Sequence, residues 1–383
     1  MVNVSRRFLV GGVAALGFAK ASRADNVSVA AAPQPASARV GVALPLTGPY
    51  GLQGDEVLRG LQLAISDVNA AGGVAGRAIS PTVGTMPAQS GAAMAVGQLI
   101  SADNVNILLG SGSSALSYPA TAAAELAQVP FIELTAPADG ILSRGFKFLL
   151  RTGPDTSMIG QLAAETVKSR FAKRHLGLLF NTGATAGAIA AAALAALKAE
   201  TQPVSLSIAY PEDVADLLAQ VGRMQRAGVE VLVHAAGPDD TLALFQAMQS
   251  LNWRPEALIG CGEGYGLRDT RIALGGTMDG TLVVAAPFYP GQAAGIAKAY
   301  EDIYGVPPRS AESCTAYVGT KLVLETLNAV QGNPGRLLNA LRQLHLPRGA
   351  LANGFGAVFS QTGQNTASFV TLQRWQQGVL APA

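Results

Sequence analysis

Between Leu108 and Ala120 the chain reads LLGSGSSALSYPA, an apolar run that passes through Gly110, Gly112 and the serines at 111, 113 and 114 into a helix-forming stretch. Several chemistries use such a turn. Gly110, Gly112 and Ala115 match G-x-G-x-x-A, and Glu133 follows 18 residues after Ala115, where a dinucleotide-binding fold puts the acid that holds a ribose. That fingerprint belongs on a first strand, and here it follows the third, in a chain with 44 glycines. An exported NAD(P)-dependent oxidoreductase built on the Gly110 turn is the alternative function. Ser113 and Ser114 invite a nucleophile, but G-x-S-x-G is absent and His175, His234 and His345 suggest no pairing with an acid. No catalytic residue is assigned, and the chain is not read as an enzyme. The remaining chemistry is binding: Ser111, Ser113 and Ser114 add hydroxyls where a helix start already leaves N–H groups unpaired. Together these make an uncharged seat for a carboxylate, which a ligand can leave again. A turn of small residues that only eases packing is the plainest competing reading.

Composition narrows the partners. The 383 residues are long enough for about two domains, and 49% are hydrophobic while only 14% are charged. Arg6 and Arg7 precede the apolar stretch Phe8–Ala19, and a small-residue pattern ends at Ala24, so residues 1–24 read as a signal peptide, of the twin-arginine type or an ordinary secretory leader that carries two arginines. The apolar stretch is shorter than the ~20 residues of a membrane span. Removing the leader takes four basic residues and no acid, which changes the formal charge from +2 to −2. No lysine or arginine stripe suggests a nucleic-acid partner. Cys261 and Cys314 form no C-x-x-C pair and the histidines are scattered, so neither a metal nor a cofactor is expected. A disulfide between the two cysteines is chemically allowed in an oxidising compartment, yet the domain reading below puts them on different lobes.

The elements that must position the serine turn follow a regular alternation. Residues 25–38, small residues around Pro33 and Pro35, read as a flexible tether. Arg39–Leu46 then forms an apolar strand, and the next segment carries Val57, Leu61, Ala64, Ile65 and Val68 at helical spacing up to Gly72 and Gly73. Strands and helices alternate through Ser169, and a second series starts at His175. Two such series predict two doubly wound domains with parallel sheets. Pro290–Ala383, mostly helical before two strand-like segments, completes those two domains by crossing between them.

Seven segments stand in a telling order: GVALPLTGPYGLQG, GLQLAISDVNAAGGVAGR, ILLGSGSSALSYPA, FKFLLRTGPDTSM, ALGGTMDGTLVVAAPFYP, AYEDIYGVPP and FSQTGQN. In that order the mature chain resembles the type I periplasmic solute-binding proteins of the branched-chain amino acid (Leu/Ile/Val) ABC transporters. The resemblance implies an α/β fold of two doubly wound parallel-sheet lobes joined by three crossover strands. It places residues 39–155 and 289–348 in the N-terminal lobe, and residues 156–288 and 349–383 in the C-terminal lobe. It further implies a monomer in the periplasm that captures a small carboxylate-bearing solute by hinge closure and is read by an inner-membrane ABC permease, or by a sensor.

Residue by residue, the resemblance carries Ser113 and Ser114 onto the carboxylate-binding turn, Thr135 and the Ala136 amide onto a second contact loop, and Gln53 onto the cleft. In the other lobe it places Thr185 where an aromatic is usual, Glu263 near the acid for a ligand ammonium, and Tyr265 as a ring against an apolar or aromatic ligand. The acidic pair usual after the second strand is replaced by VGTMPAQS. The anion-binding half therefore matches better than the amino-group half, and an amino acid, an aliphatic acid and an aromatic acid all remain candidate solutes.

Overall fold

A computed structural model describes residues 37–212, 214 and 216–383; the signal peptide and residues 25–36 of the tether lie outside the described residues. Strand β1 (Val40–Leu44) reads VGVAL with every residue buried, as a parallel strand covered on both faces requires. After it come α1 (Gly51–Ala70), β2 (Thr82–Thr85), α2 (Gln89–Ser101), β3 (Ile107–Gly110), α3 (Ser114–Leu126), β4 (Phe131–Glu133) and β5 (Leu149–Arg151). The five strands make a parallel sheet in the order β2-β1-β3-β4-β5. The winding reverses between β1 and β3. Helices α1 and α3 therefore leave on opposite faces, and a crevice opens at the carboxyl ends of these strands.

The second series runs α4 (Thr156–Phe171), β6 (Leu176–Asn181), α5 (Ala184–Ala199), β7 (Leu206–Tyr210), α6 (Leu218–Arg226), β8 (Val231–Ala235), α7 (Pro238–Ser250), β9 (Ala257–Cys261), α8 (Glu263–Gly266), α9 (Arg268–Leu274) and β10 (Leu282–Ala285). The chain then returns with α10 (Ala294–Tyr304), α11 (Ala311–Ala329), α12 (Pro334–Arg342), β11 (His345–Leu346) and β12 (Ala357–Val358), before β13 (Thr371–Gln376) and β14 (Val379–Pro382). The second sheet has the order β14-β13-β10-β9-β8-β6-β7, parallel except for its last two strands.

Each lobe buries its own apolar core. Val57 and Leu61 of α1 pack with Val323 and Leu327 of α11 over the first sheet. Ile189 of α5 and Ile159 of α4 pack against Val231 and Ile259 of the second. The chain crosses between lobes after β5, after β10 and before β13, which gives the expected three crossings. The third comes later than the sequence suggested: Ala357 and Phe359 belong to the first lobe's core, and Arg151 bridges to Gln364. Only β13 and β14 join the second sheet, because the β11–β12 pair turns residues 349–364 back onto the first lobe. Cys261 on β9 and Cys314 on α11 are free, buried thiols. Among the described residues no helix is long and apolar enough to cross a membrane.

Candidate functional site

The carboxyl ends of both parallel sheets face one cleft. Its larger cavity, ≈ 550 Å³, lies between Gln53, Ser113 and Ala115 of the first lobe and Asn181, Thr185 and Asp240 of the second. That size suits a small organic solute. A smaller cavity of ≈ 70 Å³ continues inward, and Thr185, Gly262 and Glu263 line both. Gly262 has φ +97°, and a Cβ there would meet the Ala236 carbonyl at 2.7 Å; glycine at this position lets Glu263 start α8 at the rim of β9. Helices α3, α5 and α7 begin on the larger cavity and α11 on the smaller, so their unpaired N–H groups and positive dipole ends point inward.

Five of the expected residues meet here: Gln53, Ser113, Thr135, Thr185 and Glu263 all line the cleft. Ser113 is the N-cap of α3 and makes no side-chain capping bond, which leaves its hydroxyl and the first-turn amides turned to the cavity. Gln53 is only 3% exposed, and both polar atoms of its amide lack a protein partner. The Thr135 hydroxyl is likewise unpartnered.

Three expected contacts are elsewhere. Ser114 is fully buried and its hydroxyl accepts the Ala138 amide at 3.2 Å, so it braces two loops. The Ala136 N–H donates to Glu133 Oε1 at 3.1 Å and its carbonyl accepts from Arg151 at 3.1 Å, which engages both backbone groups internally. Tyr265 lies in the second lobe's core, its ring over Gly260, where a Cβ would fall 2.1 Å from the ring. Its hydroxyl bonds His234 Nδ1 at 2.5 Å, and Tyr210 bonds Nε2 at 2.8 Å. Burial pushes His234 down to about 3, so the imidazole between these two phenols is neutral.

Glu133 explains much of the serine-rich turn. Its Oε1 accepts from the amides of Ser111 (2.6 Å), Leu134 (3.1 Å), Thr135 (3.3 Å) and Ala136 (3.1 Å). Its Oε2 accepts the hydroxyls of Ser111 (2.7 Å) and Ser117 (2.6 Å). A carboxylate caged in this way is part of the protein's own framework and has no oxygen to offer a ribose, which overturns the dinucleotide reading. Of the three serine hydroxyls in the turn, only that of Ser113 faces the cavity.

The cleft also carries acids that the sequence reading left out. Glu212, Asp239 and Asp240 line the larger cavity and Glu312 the smaller, with Glu263 at the junction, while among the described residues no lysine, arginine or histidine lines either. Burial, reinforced by the charges of Glu312 and Glu212, pushes Glu263 up to about 8. Burial and, to a smaller extent, Glu56 push Glu312 up to about 7 against its own backbone hydrogen bond. Asp240 is raised by burial and held by the Asn181 amide. Tyr50 donates to Glu212 across the cleft at 2.9 Å. The only sequence hint of Glu312 is a serine-capped helix start at Ser310, which reads as a structural signal.

Comparison with known proteins agrees with this architecture. The family described as periplasmic binding protein matches residues 37–378. A curated relative, Leu/Ile/Val-binding protein homolog 7 of Brucella abortus (strain 2308), is 32% identical over 367 residues, covering 91% of this chain and 92% of the relative. Among solved structures, a branched-chain amino acid transporter substrate-binding protein of Streptococcus pneumoniae (strain Canada MDR_19A), in complex with isoleucine, superposes with TM-score 0.80 at 19% identity, covering 90% of this chain and 97% of that one. An ABC transporter solute-binding protein of R. palustris in complex with 4-hydroxybenzoate gives TM-score 0.78 at 18% identity, covering 90% and 95%. At those identities the structural matches speak for the fold alone.

Proposed function

Because the chain belongs to the periplasmic binding protein family, we propose that it is the solute receptor of an ABC importer, acting in the periplasm as a monomer and performing no catalysis. It captures a small carboxylate-bearing solute and delivers the closed form to an inner-membrane permease. The observation that carries this reading is the convergence of Ser113, the uncapped start of α3 and the unpartnered Gln53 on one side of a cleft whose other wall belongs to the second lobe. The α3 amides and the Ser113 hydroxyl hold the carboxylate, and the helix dipole supplies charge complementarity without a fixed base. An α-ammonium, where the solute has one, faces Glu263.

Closure follows because the closed state adds contacts from Thr185 and Glu263 that the open state lacks, and a ligand shifts the equilibrium only by that difference. The two bound relatives carry isoleucine and 4-hydroxybenzoate, both carboxylates, which supports the same class of solute here. A thermal-shift screen of amino acids, aliphatic acids and aromatic acids tests the reading. A true solute at 100 times its dissociation constant stabilises the fold by about 2.7 kcal/mol. Stabilisation by NAD or NADP, with none by any carboxylate, would contradict it.

A further inference from the structure

The inner cavity is mostly apolar, yet it holds polar groups that an aliphatic or aromatic tail would leave unpaired. Pro137, Pro154, Ile159 and Ile189 form apolar walls, yet Glu312 and Glu263 enter it together with Thr135 and Thr315. Among the described residues no hydrogen bond or ion pair reaches the Glu263 carboxylate, and the Glu312 carboxylate receives only the Ser310 hydroxyl and its own backbone N–H. Thr315 is 4% exposed and its hydroxyl has no partner; the Thr135 hydroxyl has none either.

The nearest base in sequence is turned away, since Arg309 pairs with Asp55 and, at 3.4 Å, with Asp269. Glu312 is also held in place. The fully buried Glu56 accepts the Arg309 amide at 3.0 Å and the Ser310 amide at 3.3 Å, which fixes the first turn of α11 against α1. A leucine side chain or a benzene ring seated here would desolvate these oxygens and return no hydrogen bond.

We propose that this inner cavity is a specificity pocket for a positively charged nitrogen at the far end of the solute, bound by Glu312 opposite Glu263 with the Thr315 hydroxyl as a further acceptor. The solute is then a small amino acid with a basic side chain. This deepens the receptor reading above and rests on it. The solute carboxylate then sits at the start of α3 and its side-chain cation between the Glu312 and Glu263 carboxyl groups, in a cleft whose lining among the described residues has acids but no bases.

Isothermal titration with matched pairs tests the proposal, namely lysine against norleucine and ornithine against norvaline, with benzoate as an anion lacking any nitrogen. The basic member of a pair should bind at least ~10-fold more tightly than its neutral partner, the ratio set by a charge-assisted hydrogen bond. Glu312→Gln should remove most of that ratio while leaving the neutral amino acid nearly unchanged, and the milder Thr315→Val should reduce it in the same direction. Norleucine binding as tightly as lysine, or a ratio that survives Glu312→Gln in a folded variant, would overturn the pocket while leaving the receptor reading intact. Benzoate binding in preference to every amino acid would do the same. Failure of all these solutes and of the wider carboxylate screen would defeat both.

Discussion

Replacing Glu133 tests how the serine turn is built, and the structure sets the size of the effect. In Glu133→Ala the amides of Ser111, Thr135 and Ala136 and the Ser117 hydroxyl lose their acceptor. Leu134 N–H keeps the Gly110 carbonyl, and the Ser111 hydroxyl keeps the Ser113 carbonyl at 3.1 Å. Three amides left unpaired at about 1–3 kcal/mol each predict a loss of about 3–9 kcal/mol, with the Ser117 hydroxyl free to turn to another acceptor. Glu133→Gln should cost less, about 1–2 kcal/mol, because its carbonyl retains the amides and its NH2 meets two serine hydroxyls that can turn to accept. Equilibrium urea unfolding followed by far-UV circular dichroism measures this. Tryptophan fluorescence would report the wrong lobe, since Trp375 and Trp253 both pack in the second core. An alanine variant within about 0.5 kcal/mol of the parent would refute the cage as a structural element.

Three further outcomes follow from the cleft. Gln53→Leu removes a buried amide without a protein partner, so it should raise the unliganded stability by about 1 kcal/mol while weakening the solute, read by melting temperature and titration together; a loss of both contradicts this placement. Tyr50→Phe deletes the 2.9 Å bond to Glu212 that spans the cleft, and stopped-flow dissociation of the solute should quicken several-fold, consistent with about 1 kcal/mol; an unchanged rate would show that the contact plays no part in closure. Burial pushes Glu263 up to about 8 and Glu312 up to about 7, above the ordinary carboxyl value of 4.5, with the charges of Glu212 and Glu56 adding to the rise. Between 4.5 and about 8 the folded protein holds protons that the unfolded chain has released, so unliganded stability should fall as pH rises through that window. Affinity for a cationic solute should rise over the upper part of it, and Glu263→Gln should flatten both slopes.

Much of the architecture is legible in the residues. The two alternating series and the buried strands β1 and β3 appear where the periodicity puts them, while the weaker second strand, read at Ile79–Val83, forms at Thr82–Thr85 and is largely exposed. Ser113, Thr135, Thr185, Gln53 and Glu263 reach the cleft because each sits just beyond a strand's carboxyl end or at the following helix start, a position that a doubly wound sheet always turns toward its crevice.

Local sequence does not decide which of several adjacent polar groups points outward. Ser114, Ala136 and Ser111 are claimed by neighbouring loops and by Glu133, an acid that comes from the next strand. Tyr265 has the right neighbours for a cleft aromatic, but the bare Cα of Gly260, near the end of β9 just before α8, accepts its ring into the core. Glu312 lies some fifty residues beyond Glu263 in the chain and meets it only because α11 begins at the crossing between lobes.

A crystal structure with the solute selected by the thermal screen tests the central claim most directly. The account predicts its carboxylate within hydrogen-bonding distance of the Ser113 hydroxyl and the first-turn amides of α3, with Glu263 brought onto the solute from the other lobe. A solute seated away from α3, or contacted by one lobe alone, would contradict it.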